Sequence, residues 1–192
     1  MRSVRCRKYA AYADSAYSPG SQRQEIARRT NMRCEYLPND SSSTVAVFKD
    51  GDNIVIAIRG TASITDIGTD VMLSIGIDQF TLRCLETIAV IDKLIYKYYP
   101  KFKIILTGHS LGGSMVQNYL SSPNGKKIGQ STTFNEGGGL FDWIEPRKRS
   151  NDAWAITIKG DVVSKLANFR YRHHIKLPPK KNMNAHTIKQ FY

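Results

Sequence analysis

The feature that most constrains this chain is the six-residue run Gly108-His109-Ser110-Leu111-Gly112-Gly113. Apolar residues from Ile104 to Leu106 precede the run and predict a buried strand, and the residues from Ser114 to Leu120 predict a helix. A serine at a sharp turn between a strand and a helix adopts strained backbone angles, so its neighbours two residues away must lack Cβ atoms. The run therefore predicts a serine hydroxyl that is exposed above a sheet, at the N-terminus of a helix.

Such a turn is the nucleophile elbow of α/β-hydrolases, where the helix dipole favours an anion that develops beside the serine. Patterns typical of strands and helices alternate along the rest of the chain. They predict a hairpin of Thr44–Phe48 and Asn53–Ile58, a helix over Phe80–Tyr98, and strands over Gly129–Phe134 and Ala153–Ile158. We expect an α/β-hydrolase fold with a mainly parallel sheet and helices on both faces. All 192 residues are expected to form one domain (1–192).

The elbow serine needs a general base, and the chain holds four histidines. His109 belongs to the elbow and points the wrong way to serve its neighbour. In α/β-hydrolases the order along the chain is serine, then acid, then a histidine on a late loop. His186, which follows a polar loop, is therefore the preferred base, and His173 and His174 stay alternatives because they lie in a basic strand or turn.

The acid of the set should follow a strand, at the carboxyl edge of the sheet where α/β sites gather. Asp161 follows the predicted strand Ala153–Ile158 and would hold the imidazole tautomer without taking its proton. Its rivals are Asp142 and Asp152, the latter placed before the strand and so at the opposite edge. A second interpretation of Asp161 is the N-cap of a following helix.

An oxyanion hole needs two backbone N–H groups. One comes from Leu111, the residue after the nucleophile, and the other from the loop after an earlier strand. The segment Arg59-Gly60-Thr61-Ala62-Ser63 follows the strand Asn53–Ile58 and is such a loop. Thr61 offers both its N–H and its hydroxyl.

Taken together, these pieces resemble the class 3 lipase family, the lineage of the fungal triacylglycerol lipases. The matching segments are Ile56 to Thr61, Thr107 to Gly113, Gly160 to Val163, and His186. The resemblance implies that Ser110 is the nucleophile, Asp161 the acid, His186 the base, and Thr61 with Leu111 the oxyanion hole. It also implies that Asp70 supports the oxyanion loop. The stretch from Val71 to Gln79, where longer family members carry a lid, is short.

We therefore expect a serine carboxylic-ester hydrolase acting on lipid esters, of the triacylglycerol lipase or phospholipase A type, with no metal or organic cofactor. One alternative is a small-ester or thioester hydrolase. Another is an inactive hydrolase scaffold that serves as a basic nucleic-acid or membrane-binding protein.

The chain has 28 Lys and Arg residues and 16 Asp and Glu residues. The resulting net charge of +12 indicates attraction to polyanions. We expect a lipid or ester substrate and peripheral contact with an anionic membrane, and no nucleic-acid partner, since the basic clusters form no recognised nucleic-acid motif. No apolar run approaches the roughly 18 residues of a membrane span, and no apolar core follows the basic residues from Arg2 to Lys8. These patterns predict a chain without a signal peptide or transmembrane segment, in the cytoplasm or associated with a virus.

Overall fold

The computed structural model describes residues 3–61, 77–137, 152–165 and 173–192, and its described strands form one seven-stranded sheet. The strands are β1 (Glu35–Tyr36), β2 (Val45–Asp50), β3 (Asn53–Ile58), β4 (Lys103–His109), β5 (Ile128–Phe134), β6 (Ala153–Ile158) and β7 (His173–Leu177). They lie side by side in chain order. The first three strands pair antiparallel, and β3 to β7 pair parallel.

Five α-helices accompany the sheet in the described residues: α1 (Val4–Ser15), α2 (Gly20–Arg28), α3 (Ile77–Tyr98), α4 (Leu111–Leu120) and α5 (Val162–Lys165). Short 3-10 helices span Pro38–Asp40, Pro123–Lys127 and Ile188–Phe191. The predicted hairpin and the predicted strand Ala153–Ile158 are confirmed. The helix predicted from Phe80 begins earlier, at Ile77, and so takes in the last residues of the short Val71–Gln79 stretch. Residues 71–76 of that stretch lie outside the described residues.

Alternation along the strands divides the core into two layers, because successive strand side chains point to opposite faces. On one face, Ala46, Phe48 and Val55 pack with apolar residues of α1 and with Phe191. On the other face, alternate residues of the same strands, such as Val47 and Ile56, pack with α3 and α4. Helices therefore cover both faces of a mainly parallel sheet, as predicted.

Parallel pairing of β3 to β7 brings the carboxyl ends of these strands to one edge of the sheet. Residues 59–61, Ser110 and Asn135 follow directly after β3, β4 and β5, and Asp161 lies three residues after the end of β6. The fold thus gathers at one edge Ser110, Asp161 and the start of the loop that holds Thr61, all of which the sequence singles out. Among the described residues, no helix is both long and apolar enough to cross a bilayer.

Candidate active site

Ser110 occupies the turn between β4 and α4 with backbone angles of φ 55° and ψ −127°, which few non-glycine residues adopt. Its N–H donates to the Phe134 carbonyl oxygen at 2.9 Å, which ties the turn to the end of β5. A Cβ atom on Gly108 would come within 2.5 Å of the Gly112 backbone. The elbow thus requires glycine at 108, as the sequence predicts. Ser110 is only 1% exposed, less than predicted, because buried residues that follow the neighbouring strands pack around this edge.

Asp161 and His186, 25 residues apart in the chain, meet in a hydrogen bond of 2.8 Å between Asp161 Oδ1 and His186 Nδ1. Asp161 is 3% exposed and His186 is 9% exposed, so the pair is buried. Since an ionised carboxylate only accepts hydrogen bonds, Nδ1 carries the proton and Nε2 of the neutral ring is an acceptor. His186 Nε2 is itself buried and has no hydrogen-bond partner among the described residues. The arrangement leaves a ring nitrogen ready to accept a proton.

Asp161 also serves the following helix, because its Oδ2 accepts hydrogen bonds from the Ser164 backbone N–H at 2.9 Å and from the Ser164 hydroxyl. Each carboxylate oxygen thus has its own partner: Oδ1 bonds His186, and Oδ2 caps the N-terminus of the following helix. Burial by itself would raise the pKa of Asp161, but His186 and the Ser164 donors together hold that pKa below its usual range. The carboxylate is thus kept ionised beside the imidazole.

The backbone that carries His186 is fixed by hydrogen bonds from two neighbouring strands. His109 Nε2, at the end of β4, lies 2.6 Å from the His186 carbonyl oxygen. Asn135, which follows β5, donates from Nδ2 to the Ala185 carbonyl oxygen at 2.7 Å. Its Oδ1 accepts the Ile158 N–H at 2.8 Å, so Asn135 joins β6 to the segment that carries the base.

The loop after β3 lies against the elbow. Gly112 makes this contact possible, since a Cβ atom there would collide with the Ile58 carbonyl oxygen and approach the Gly60 nitrogen at 3.0 Å. Thr61 Oγ1 is buried and has no hydrogen-bond partner within the described part of the chain. Leu111 is the first residue of α4 and is also buried. The structure therefore brings the segment before Thr61 against the first turn of the helix that Leu111 begins.

Arg83 of α3 also binds the loop after β3. Its guanidinium donates to the Arg59 carbonyl oxygen at 2.8 Å and to the Gly60 carbonyl oxygen at 3.0 Å. Burial lowers the pKa of Arg83. The sequence analysis did not identify this arginine, because nothing in the local pattern of a surface-like helix residue indicates which carbonyl groups it meets.

Three residues that the sequence offered as alternatives for the base or the acid lie in the described residues, namely His173, His174 and Asp152, and they have other partners. His173 stacks on Trp154 with ring centroids 4.2 Å apart, at the amino ends of β6 and β7, and His174 bonds Thr157 at 3.0 Å. Asp152 precedes β6 and accepts a hydrogen bond from Trp154 Nε1 at 2.6 Å. Each of these contacts is made with a residue other than Asp161 and His186. Asp70 and Asp142 lie outside the described residues.

Sequence analysis also missed Tyr17 and Asn135, both of which hydrogen-bond residues of this edge. The one available signal for Asn135 was its position directly after a strand, since asparagine tolerates the positive φ of 39° found there. Tyr17 had no such signal, because it follows a helix 93 residues before Ser110.

Comparisons with known proteins agree with this geometry. Residues 55–118, from β3 through the elbow and most of α4, match the family model described as lipase (class 3). The match confirms the resemblance inferred from the sequence over these residues, and it supports a carboxylic ester hydrolase. A comparison with curated protein sequences gave no match.

Solved structures similar to this chain include lipase II from Rhizopus niveus, which is 19% identical with a TM-score of 0.56 over 84% of this chain and 73% of that one. Lip2 lipase from Yarrowia lipolytica is 20% identical with a TM-score of 0.56, over 96% and 81% of the two chains. MDLA from Penicillium cyclopium is 15% identical with a TM-score of 0.58, over 98% and 84%. These likenesses confirm the α/β-hydrolase fold.

A metal-dependent site was not expected from the sequence. Within the described ranges, no group of three or more His, Cys, Asp or Glu side chains is placed to hold a metal ion.

Proposed function

We propose that this class 3 lipase-family chain hydrolyses lipid esters through a Ser110–His186–Asp161 triad and an acyl-enzyme. The observation that carries the proposal is the buried Asp161–His186 hydrogen bond of 2.8 Å, at the edge of the sheet where β4 leads into a serine of elbow conformation. Asp161 orients the imidazole so that Nε2 accepts the Ser110 proton as the hydroxyl attacks the ester carbonyl.

The tetrahedral intermediate carries a negative charge on the former carbonyl oxygen, and we assign its stabilisation to Thr61 and Leu111. The Leu111 N–H begins α4, where the helix dipole favours an anion. Thr61 Oγ1, which has no hydrogen-bond partner among the described residues, is a further hydroxyl donor for the intermediate. By resemblance to the family, Asp70 would support the loop that carries Thr61.

His186 then returns its proton to the leaving alcohol, and the ester bond between Ser110 Oγ and the acyl group is left behind. Water attacks this acyl-enzyme with His186 again as the base, which releases the fatty acid and restores the serine hydroxyl. Every proton passes through His186 Nε2, so the step needs no cofactor. Triacylglycerol and phospholipid esters are the substrate classes that we propose.

A fluorophosphonate probe and a panel of esters of rising acyl length test the proposal. Ser110→Ala should abolish labelling and lower ester hydrolysis by about 10³-fold or more, leaving only the residual rate from binding and the oxyanion hole. Ser131→Ala is the matched control, because Ser131 is a buried serine in β5 whose Oγ has no partner among the described residues. We expect that variant to keep the parent activity.

Three outcomes separate the proposal from its alternatives. An unlabelled parent chain would indicate an inactive scaffold. A labelled chain that hydrolyses short esters or thioesters and ignores long acyl chains would indicate a small-ester or thioester hydrolase. A Ser110→Ala variant within a few-fold of the parent would remove Ser110 from the mechanism.

A further inference from the structure

His109 is a buried histidine that the proposed triad does not use. It is 6% exposed, and its ring lies 4.9 Å from the His186 ring, centroid to centroid. Its Nε2 lies 2.6 Å from the His186 carbonyl oxygen, and its Nδ1 lies 3.1 Å from the Tyr17 hydroxyl. Both ring nitrogens therefore have defined partners.

The partners fix the tautomer of His109. A carbonyl oxygen only accepts hydrogen bonds, so Nε2 must carry the proton that it donates to His186. In the neutral ring Nδ1 is then an acceptor, which makes the Tyr17 hydroxyl the donor. The His109 carbonyl oxygen, 3.2 Å from the same hydroxyl, is a second acceptor for its proton.

Tyr17 also reaches the oxyanion loop. A Cβ atom on Gly60 would collide with the Tyr17 hydroxyl and would lie 2.7 Å from the His109 carbonyl oxygen, so the hydroxyl packs against the Gly60 backbone. Glycine at position 60 thus allows the hydroxyl to sit between the residue before Thr61 and the elbow. A continuous series of contacts therefore joins Gly60 to Tyr17, Tyr17 to His109, and His109 to the backbone of His186.

We infer that Tyr17 and His109 are positioning residues, a neutral hydrogen-bonded relay that holds the base segment and the oxyanion loop in one relative geometry. The inference rests on the proposed function only in taking His186 as the base. Neither side chain touches substrate in this role. Misplacing reacting groups by about 1 Å is enough to lower a rate by about 10²-fold, so such a relay has a measurable effect on turnover.

Neutrality of His109 matters because His186 becomes positively charged in the reaction. Burial, followed by repulsion from His186, lowers the pKa of His109 to about 3. His109 therefore adds no positive charge beside the imidazolium at any pH where the base works, and its Nε2–H donor remains in place.

Kinetics of conservative variants test the relay. Tyr17→Phe removes only the hydroxyl, and His109→Leu removes both ring partners at similar volume. Each should lower kcat by about tenfold to a hundredfold with KM changed by less than about twofold. The double variant should be hardly worse than His109→Leu, since the relay acts as one unit. His109→Gln, which keeps an N–H donor near the position of Nε2, should restore most of the lost kcat.

Tyr12→Phe is the matched control, because Tyr12 is a buried tyrosine of α1 whose hydroxyl accepts from Asn31 at 2.9 Å, outside the relay. It should lower the melting temperature with kcat unchanged. An unchanged kcat in Tyr17→Phe, multiplicative losses in the double variant, or a loss that His109→Gln fails to restore would overturn the inference.

A readout that does not depend on activity is the ¹⁵N resonance of the His109 ring. We expect a proton on Nε2 and no titration between pH 5 and 8, in the parent and in Ser110→Ala alike. A proton on Nδ1, or a titration within that range, would refute the relay even if the chain hydrolysed no ester. Absence of ester hydrolysis with the expected resonances would instead refute the proposed function alone.

Discussion

Asp161 uses its two carboxylate oxygens to bind two different residues. One carboxylate oxygen accepts from His186 and the other from Ser164, so the position of Asp161 is tied to His186 and to α5. Because its folded-state pKa is lowered, the stabilisation it contributes is present above the ordinary carboxyl pKa, about 3.9, and is lost as pH falls through the lower folded value. The Asp161 carboxylate therefore stays ionised throughout the pH range in which an imidazole titrates.

The first prediction at this scale concerns His186. His186→Ala should lose a factor similar to that of Ser110→Ala, and the double variant should be hardly worse than either, because the members of a triad act as a unit. Steady-state hydrolysis of one ester by the three variants measures this. His173→Ala and His174→Ala are the controls, since both residues lie on β7 away from the pair. Inactivation by either control together with an active His186→Ala would move the base to β7.

A second residue-scale prediction concerns the Thr61 hydroxyl. Thr61→Val keeps the backbone N–H and the side-chain shape but removes Oγ1, so we expect kcat to fall by about tenfold to a hundredfold with KM little changed. The hydroxyl should bond the oxyanion only as charge develops, which is why the effect falls on kcat. Measurements at saturating substrate check it. An unchanged kcat would mean that the loop after β3 is not the oxyanion loop.

At the scale of elements, the site depends on how closely α4 approaches the end of β3. The first turn of α4 rests on the backbone of residues 58–60 because Gly112 has no side chain, and Arg83 of α3 binds the carbonyl groups of the same loop. Two helices on one face of the sheet thus fix the loop that carries Thr61. Asn135 does the same for the segment before His186.

Gly112→Ala tests this packing. A helix interior ordinarily gains about 1 kcal/mol when alanine replaces glycine, but here the new Cβ atom would meet rigid backbone. We expect a net loss of about 1–3 kcal/mol in unfolding free energy, measured by denaturant titration, together with reduced kcat.

Gly129→Ala is the control for that experiment. The nearest atoms to its Cβ atom would be Cγ and Cε of Lys103, both at 2.6 Å, and this exposed side chain can change rotamer, whereas the backbone beside Gly112 cannot. We expect unchanged or slightly higher stability and the parent kcat. Equal losses in the two variants would mean that the close approach of α4 to β3 is not what sets the cost.

At the scale of the whole molecule, the basic residues that give the net charge of +12 include lysines that lie near Asp161. A cavity of about 320 Å³ beside Asp161 is lined by Lys159 and Lys176, both exposed. Lys181 is exposed as well, whereas Lys180 donates from Nζ to the Lys189 carbonyl oxygen at 3.1 Å. Arg170 and Arg172, which the sequence groups with these residues, lie outside the described residues.

We predict that the chain binds and hydrolyses substrate in anionic vesicles far better than in neutral ones. Each cation near such a surface contributes about 1 kcal/mol, so three or four change binding by roughly two orders of magnitude. The preference should shrink with salt, because the Debye length falls from about 10 Å at 0.1 M to about 3 Å at 1 M. Sedimentation with vesicles of increasing anionic fraction measures it.

Charge variants at two places on the molecule test which lysines contribute to binding of anionic vesicles. Lys176→Gln with Lys181→Gln should reduce binding to anionic vesicles, whereas Lys101→Gln, a cation beside Phe102 at the amino-terminal edge of the sheet, should not. DNA added as a competitor addresses nucleic-acid binding. Equal sedimentation with neutral and anionic vesicles at low salt would contradict membrane attraction.

Local sequence determined the elements around the elbow and their order. The flanking glycines, the apolar run before Ser110 and the turn residues between β2 and β3 each specify a conformation over a few residues, so the elbow, the hairpin and β6 follow from pattern and turn chemistry. The same local cues, with the family resemblance, singled out Asp161 and His186. The expectation of one domain and the roles of the site residues stay predictions.

Tertiary structure alone decided which groups meet. The bonds from His109 to His186, from Tyr17 to His109 and from Asn135 to Ala185 join residues 77, 92 and 50 positions apart. Such partners are set by strand order and by which strand ends share an edge, and neither is encoded in the spacing of apolar residues. Local sequence is therefore enough to predict the Ser110 elbow, while the contacts that hold His186 and the loop before Thr61 form only when the parallel strands align their carboxyl ends.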